Sequence, residues 1–527
     1  MENLNTRTEG KENNLTEGHT KYDTVSVWKV KEVLKSTGCG KARGPDGIVG
    51  EQIKLGGTVL WNWIRKLMKG IFSHAVVLDA TLETWVKPLV KDKKGNVEDS
   101  NNYRGITITS VWSKIVDKLI LNKLNNVIES NHAQFGFKRK LSTKMAVQVL
   151  VEVGNKFCNK GGSLFCGFVD IKKAFDRVQY KDIWNKMETL KVGKNIINMV
   201  KEQYKNQTKR VIWENEVSEQ FKVEMGVMQG SSLSPCLFAL VLDDVIEEIQ
   251  SLGIGCRFQN KMLNIIVYAD DILVLGPSRH AISEILNTLS KSLKRKGLEL
   301  NIDKTVAMEI KEERRKVKQK NIEIEGREIK WVGEFKFLGV IIQNDMRWEK
   351  HWLLLGNKVN KLGNMILHQC GKVIKEEDRL FLLETCAFDL YGVEFCTKIS
   401  KKQYTDVERG YHWLIKRALK ESKYYGNHQA CAEGGMLTWE LISGWKVFIL
   451  WQQIINSNNE ILKHIFGQYK WETEMGRKVK GILMQYGKDI DSAKELKKVM
   501  LTFVEAMAVL KELERDAKES GEEAERV

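Results

Sequence analysis

The stretch Ile265-Ile266-Val267-Tyr268-Ala269-Asp270-Asp271-Ile272-Leu273-Val274-Leu275 decides the reading of this chain. Two strongly apolar runs, rich in β-branched residues, flank a short polar step. That is the pattern of two strands joined by a tight turn. The step carries adjacent carboxylates, Asp270 and Asp271. A turn needs no paired acids, and like charges side by side repel. A solvated Asp-Asp turn is one explanation. The other is a divalent-metal site, because Mg²⁺ takes hard oxygen ligands and binds through one or two carboxylates plus substrate phosphates.

Such a site needs a further carboxylate on a neighbouring strand. Leu164–Val169 is a compact apolar run that ends in Asp170, which opens Asp170-Ile171-Lys172-Lys173-Ala174-Phe175-Asp176. Two metals about 3.5–4 Å apart activate a hydroxyl nucleophile and stabilise a leaving group. Only the fold can bring Asp170 beside Asp270. Further strand candidates are Ile322–Ile329 and Phe335–Ile342. Helical spacing of apolar residues marks 25–36, Leu60–Phe72, Ile115–Ile128 and Lys144–Phe157, and the pattern is helical almost throughout after Trp348.

Composition narrows the class. The 527 residues carry 84 Lys plus Arg against 68 Asp plus Glu, a net charge of +16, and 43% are hydrophobic. Wholesale disorder is excluded, and the basic balance points to a polyanionic partner. Only four prolines occur (Pro45, Pro88, Pro235 and Pro277), where average usage gives roughly 26. Nine cysteines show no C-x2-C pair, so no zinc or disulfide framework is expected. Gly38-Cys39-Gly40-Lys41 fails the phosphate-loop pattern, since Lys35 and Ala42 stand where that loop needs Gly and Ser or Thr. No secretory signal and no run of 18 apolar residues occurs, so an intracellular chain (nucleus or cytoplasm) off the membrane is expected.

With these segments in view a resemblance becomes specific. Tyr268-Ala269-Asp270-Asp271 resembles the signature of reverse transcriptases. Residues 168–178 resemble the family's first palm motif, and Gly226-Val227-Met228-Gln229-Gly230-Ser231-Ser232-Leu233-Ser234-Pro235 the second. Gly297-Leu298 with Asn301, Lys304 and Thr305 resembles the motif after the catalytic hairpin, and Phe337-Leu338-Gly339 the primer grip. Residues 41–48, Asn102-Tyr103-Arg104-Gly105-Ile106 and Gln134-Phe135-Gly136-Phe137 resemble fingers segments of non-LTR (LINE-type) retrotransposon polymerases. Leu390-Tyr391-Gly392-Val393-Glu394 resembles part of their thumb.

The resemblance implies an α/β (α+β) right-hand polymerase, with an antiparallel-sheet palm, mainly helical fingers and thumb, and a helical C-terminal tail. It assigns 25–163 to fingers, 164–345 to palm with fingers-side helices inserted near 180–220, 346–470 to thumb, and 471–527 to a helical extension. The extension ends in seven acidic and three basic residues after Lys511. Residues 1–24 are polar and expected to be disordered. The implied function is RNA-directed DNA polymerisation by two-metal nucleotidyl transfer, with two Mg²⁺ (or Mn²⁺), an RNA template, a DNA primer and dNTPs. A catalytically silent nucleic-acid-binding remnant and an RNA-dependent RNA polymerase are the alternatives. No endonuclease segment is expected.

By the same resemblance Asp170, Asp270 and Asp271 hold the metals, with the Ile171 carbonyl as a further ligand. Phe175 is a steric gate against a 2′-hydroxyl, the group that separates RNA from DNA precursors. Gln229 and Gly230 lie near the nascent base pair. Arg104, with Lys91, Lys93 or Lys94, holds the triphosphate through phosphate-matched hydrogen bonds. Lys304 is a general acid toward pyrophosphate. Phe337, Leu338 and Gly339 grip the primer. Trp413, Lys416 and Arg417 are candidates to meet the duplex, although a core position suits Trp413 as well.

Overall fold

A computed structural model of the chain describes residues 27–125, 127–258, 261–311, 321–370, 373–396, 399–467, 471–486 and 492–524. The expected disorder over 1–24 lies outside these residues, as do the side chains of nearly all of the acidic C-terminal stretch. The chain divides into two compact units. The first is residues 1–130, 173–244 and 296–298; the second is 131–172, 245–295 and 299–527.

In the second unit the apolar run Leu164–Val169 is a central strand, antiparallel to Asp271–Gly276 on one side and to Val306–Ile310 on the other. Ile265–Tyr268 pairs beyond Asp271–Gly276, and Arg327–Trp331 then Ile322–Ile324 extend the opposite edge. Four of the five pairings in this six-stranded sheet are antiparallel, and only Val306–Ile310 with Arg327–Trp331 runs parallel. A strand flanked on both sides and covered on its faces has no polar side to keep, which explains why Leu164–Val169 shows no alternation. The helices Thr143–Asn159 and Arg279–Arg295 pack against the sheet. The second buries Ala281, Ile282, Ile285, Leu286, Leu289 and Leu293, an i, i+3, i+4 stripe. Each fully buried Leu or Ile contributes about 1.5–3 kcal/mol, more than any propensity difference along that helix.

Two expected single strands are hairpins instead. Ile322–Ile324 turns into Arg327–Trp331 through Glu325 (φ 54°) and Gly326 (φ 73°). Glu334–Phe337 turns into Val340–Gln343 through Leu338 (φ 46°) and Gly339 (φ 85°). Positive φ at both loop residues is the type I′ pattern, whose twist matches that of the flanking strands. From Glu349 onward the described residues are helical except for short connections. Their core is aromatic: Trp352 meets Trp439 at 5.3 Å, Tyr411 meets Trp439 at 5.4 Å, and Phe388 meets Tyr411 at 4.3 Å between ring centroids.

The first unit joins helices to a small sheet. The sheet is ordered Tyr103–Ile108, Glu83–Val90, Thr208–Trp213, with Glu216–Val217 and Phe221–Lys222 paired to the last. Glu83–Val90 and Thr208–Trp213 run parallel. The unit's helices include Val27–Lys35, Gly50–Leu55, Gly57–His74, Val111–Leu124, Tyr180–Thr189 and Lys194–Asn206. The α+β class with an antiparallel central sheet and a mainly helical remainder is therefore what the chain adopts. Among the described residues no helix is long and apolar enough to cross a membrane.

Candidate active site

The catalytic hairpin is two residues tight. Tyr268 pairs with Asp271, leaving Ala269 and Asp270 as the loop. Asp271 thus belongs to the strand rather than to the turn, and only Asp270 of the pair stands at the tip. Ala269 has φ 60°, a conformation that costs an L-residue roughly 1–2 kcal/mol and is usually left to glycine. The strain is held by a neighbour. The Ala269 N–H donates to Gln134 Oε1 at 3.3 Å, and the same oxygen takes the Gly136 N–H at 2.9 Å. The Phe135 N–H donates to the Val267 carbonyl at 2.7 Å, and the Val267 N–H to that of Ala133 at 2.8 Å. The Gln134-Phe135-Gly136-Phe137 segment is therefore a brace for the catalytic hairpin. A Cβ on Gly136 would stand 2.5 Å from the Ala269 nitrogen, so no larger residue fits as the backbone stands.

Asp170 ends the strand next to this hairpin, because Val169 pairs with Ile272. The segment Glu299–Lys304 closes over it. The Asn301 N–H donates to the Asp170 carbonyl at 2.8 Å, and Asn301 Nδ2 donates to Asp170 Oδ2 at 2.9 Å. Lys304 Nζ lies 3.9 Å from the same Oδ2. Ile171 bridges Leu300, yet the two hydrogen bonds run through its neighbours, Asn301 to Asp170 and Lys172 to Glu299. Neither uses the Ile171 carbonyl. Lys172 Nζ pairs with Glu299 Oε1 at 2.6 Å. Asp270 and Asp170 are half-buried and Asp271 is exposed. Partial desolvation, then the charges of Asp270 and Asp170, push the Asp271 carboxyl up to about 6. Asp271 therefore lies close enough to both other acids to feel their charge.

The donor chemistry fits Mg²⁺: three carboxylates and a backbone carbonyl, all hard oxygen. Among the described residues, however, no three His, Cys, Asp or Glu side chains are gathered tightly enough to form a ligand cluster.

The other expected residues lie in the first unit, apart from the primer grip and the candidates Trp413, Lys416 and Arg417. Phe175 is half-buried and stacks on Phe238 (4.8 Å between centroids, 17° between planes). The Val227 N–H donates to the Phe175 carbonyl at 2.7 Å. Gln229 donates from Nε2 to Asp176 Oδ1 at 3.2 Å, and its carbonyl accepts from the Thr107 N–H at 2.7 Å. Gly230 has φ 126°, and a Cβ there would meet the Thr107 carbonyl at 2.5 Å. Behind this loop Asp117 is fully buried, accepting from Ser231 Oγ at 2.5 Å and from Gln203 Nε2 at 3.2 Å. Arg104 is exposed on its strand, opposite Leu89. Lys91 donates to the Asn101 carbonyl at 2.9 Å, whereas Lys93 and Lys94 are exposed in the connecting loop.

In the second unit Phe337 is buried, while Leu338 and Gly339 form the turn of their hairpin. Trp413 is 41% exposed, so it is not a core residue. Lys416 is buried and donates to the Lys423 carbonyl at 3.2 Å. Arg417 donates to Asn364 Oδ1. Sequence reading gave no role to Gln134, Gly136, Asp117 or, individually, Asn301. A glycine between two aromatics in residues 134–137 was the one available signal, since it marks close backbone approach.

Residues 91–342 match the family described as reverse transcriptase (RNA-dependent DNA polymerase). The chain is 26% identical over 220 residues to a Pol polyprotein of the type-1 retrotransposable element R2 of Popillia japonica, covering 41% of this chain and 31% of that protein. It is 24% identical over 364 residues to the Pol polyprotein of the type-2 element R2DM of Drosophila melanogaster (65% and 32%). It is also 24% identical over 339 residues to the RNA-directed DNA polymerase from the mobile element jockey of Drosophila funebris (62% and 36%). The chain thus spans about a third of the length of these relatives. A solved telomerase structure from Candida albicans, in complex with a fragment of telomeric RNA, aligns at 14% identity and a TM-score of 0.37, over 83% of this chain and 68% of that one. The motif residues, the matched family and the relatives agree: residues 91–342 carry a reverse transcriptase domain, similar to those of non-LTR retrotransposons.

Proposed function

We propose that the chain is an RNA-directed DNA polymerase that extends a DNA primer on an RNA template with dNTPs. The observation that carries this reading is the corner built by Asp170, Asp270 and Asp271, buttressed by Asn301 and flanked by Lys304. Asp170 and Asp270, with Asp271 and the Ile171 carbonyl, are the groups that would hold two Mg²⁺. When bound, the ions supply the positive charge that activates a 3′-hydroxyl and neutralises leaving pyrophosphate. Asn301 fixes the Asp170 carboxylate in place. Lys304, charged and solvent-facing, donates the proton that pyrophosphate needs on departure. Arg104 supplies a guanidinium to the triphosphate.

Phe175 selects the sugar. Its ring is fixed by Phe238 on one face, so a clash with a 2′-hydroxyl cannot be relieved by a small swing of the side chain. Gln229 and Gly230 offer a backbone-dense, side-chain-poor surface to a base pair. The fingers, palm and thumb assignments over 25–163, 164–345 and 346–470 belong to this reading, as do the template, primer and nucleotide.

Primer extension on an RNA template with Mg²⁺ tests it. The chain is expected to extend the primer with dNTPs and to discriminate against rNTPs. Asp270→Ala is expected to lower incorporation by about 10³-fold or more while leaving duplex binding in place, since the lost charge stabilises the transition state alone. A well-folded preparation that binds the duplex without extending it, or extension untouched by Asp270→Ala, sinks the proposal.

A further inference from the structure

The Leu338-Gly339 turn is held from one side by a single tyrosine. Tyr391 Oη lies 2.9 Å from the Leu338 carbonyl and 2.6 Å from Thr143 Oγ1. The carbonyl can only accept, so the phenol proton goes to Leu338, and the Thr143 hydroxyl donates to the phenol oxygen. The Tyr391 ring meanwhile occupies the space a side chain at Gly339 would need: a Cβ there would lie 3.2 Å from Cε1. One residue therefore sets both the height of the turn, through its carbonyl, and its approach, through ring contact.

Tyr391 is itself fixed from two directions. Its carbonyl lies 3.1 Å from His351 Nε2, and the Ile341 N–H points at His351 Nδ1 at 3.4 Å. A carbonyl demands a donor and an N–H demands an acceptor, so the imidazole is neutral with its proton on Nε2. Burial holds the His351 pKa below its usual value, in keeping with that tautomer. His351 thus ties the Tyr391 backbone to the returning strand of the same hairpin. On the other side Lys144 pairs with Glu394, whose side chain is only 1% exposed, and the Lys144 ammonium stands 5.3 Å from the Tyr391 ring centroid.

We propose that Tyr391 is the positioning residue of the primer grip, fixing the Leu338-Gly339 turn against the start of helix Thr143–Asn159. This rests on the polymerase reading above. A turn that holds a primer end must place a 3′-hydroxyl to within a fraction of an ångström, because small misplacements of a reacting atom cost one to two orders of magnitude in rate. Tyr391 takes no part in the chemistry; it acts through Leu338.

The test is single-turnover extension of an RNA-templated DNA primer by the full chain, with the duplex dissociation constant and the melting midpoint measured alongside. Tyr391→Phe keeps the ring and removes the oxygen. It is expected to slow the single-turnover rate about tenfold, with the duplex dissociation constant within about twofold of wild type. Thr143→Val is expected to act in the same direction and more weakly, and the double variant to be no slower than Tyr391→Phe alone. If Tyr391→Phe does not fold, Thr143→Val decides by the same criteria. A wild-type rate in a folded variant overturns the inference, and so does a slowing wholly accounted for by weaker duplex binding. A wild-type chain that extends no primer overturns the polymerase reading first, and the inference with it.

Discussion

Asp117 shows what one buried group does to the first unit. It sits on the helix Val111–Leu124, which is buried on nearly every face, and it accepts hydrogen bonds from Ser231 and Gln203. Tyr204 on the helix Lys194–Asn206 is the titratable group facing it, itself bonded to Ser234 at 3.1 Å. Burial outweighs these hydrogen bonds and pushes the carboxyl from 3.8 up to about 6. A raised folded-state pKa means that the native state binds its proton more tightly than the unfolded chain does. Its stabilising contribution is complete below pH 4 and is lost as pH rises through 6. The difference of roughly two units corresponds to about 3 kcal/mol. Asp117→Asn is expected to remove that pH dependence, so that the difference in unfolding midpoint between variant and wild type shifts in the variant's favour from pH 4 to pH 7. Urea unfolding across that range checks it; a constant difference between the two proteins contradicts it. Nothing in Val111-Trp112-Ser113-Lys114-Ile115-Val116-Asp117 distinguishes this aspartate from an ordinary solvated one, because the elements that bury it come from residues 203 and 231. The three acids at 170, 270 and 271 were legible because they follow or join uninterrupted apolar runs, where a charge has no structural reason to be.

At the scale of elements, the hairpin Ile265–Gly276 and the strand Leu164–Val169 were readable for the same reason: a run buried on both faces is apolar without interruption. The hairpin Glu334–Gln343 was not. Its apolar run, Phe337-Leu338-Gly339-Val340, continues straight through the turn, so hydropathy showed one strand where backbone φ makes two. Thr208–Trp213 was missed for the opposite cause, since three of its first four residues are polar and its partner strand lies more than 100 residues away. The catalytic hairpin also depends on an element outside itself. The backbone at residues 133–136 pairs with its edge strand and holds Ala269 at positive φ. Gly136→Ala must push a methyl against the Ala269 nitrogen. Overpacking of this kind costs about 1–3 kcal/mol. The expected outcome is a lowered melting midpoint together with a loss of about 10- to 100-fold in incorporation, as the hairpin carrying Asp270 shifts. A variant with wild-type midpoint and rate shows that the brace is dispensable.

At the scale of the whole molecule the decisive quantity is the +16 charge. Net charge says nothing about fold, but it says which partner the surface attracts and how that attraction responds to salt. Many of the basic groups are already engaged in ion pairs, such as Lys294 with Glu325 and Arg295 with Glu248, and add little to a nucleic-acid contact. Others are exposed, among them Lys401, Lys402, Arg409, Lys420 and Lys423 in the helical part of the second unit. Arg409 and Lys420 sit within 4.0 Å of Asp406 and Glu376, pairs that solvent leaves weak and that a phosphate can replace. If about six such cations replace counterions on an RNA–DNA duplex, the logarithm of the association constant falls with the logarithm of salt concentration at a slope of about −5. Affinity should then drop by roughly 10³-fold between 50 and 200 mM salt. Charge reversal of Lys401, Lys402 and Arg409 together is expected to flatten that slope by about three units while leaving incorporation at saturating duplex near wild type. A slope shallower than about −2, or one unchanged by the triple substitution, places the duplex contact elsewhere on the molecule.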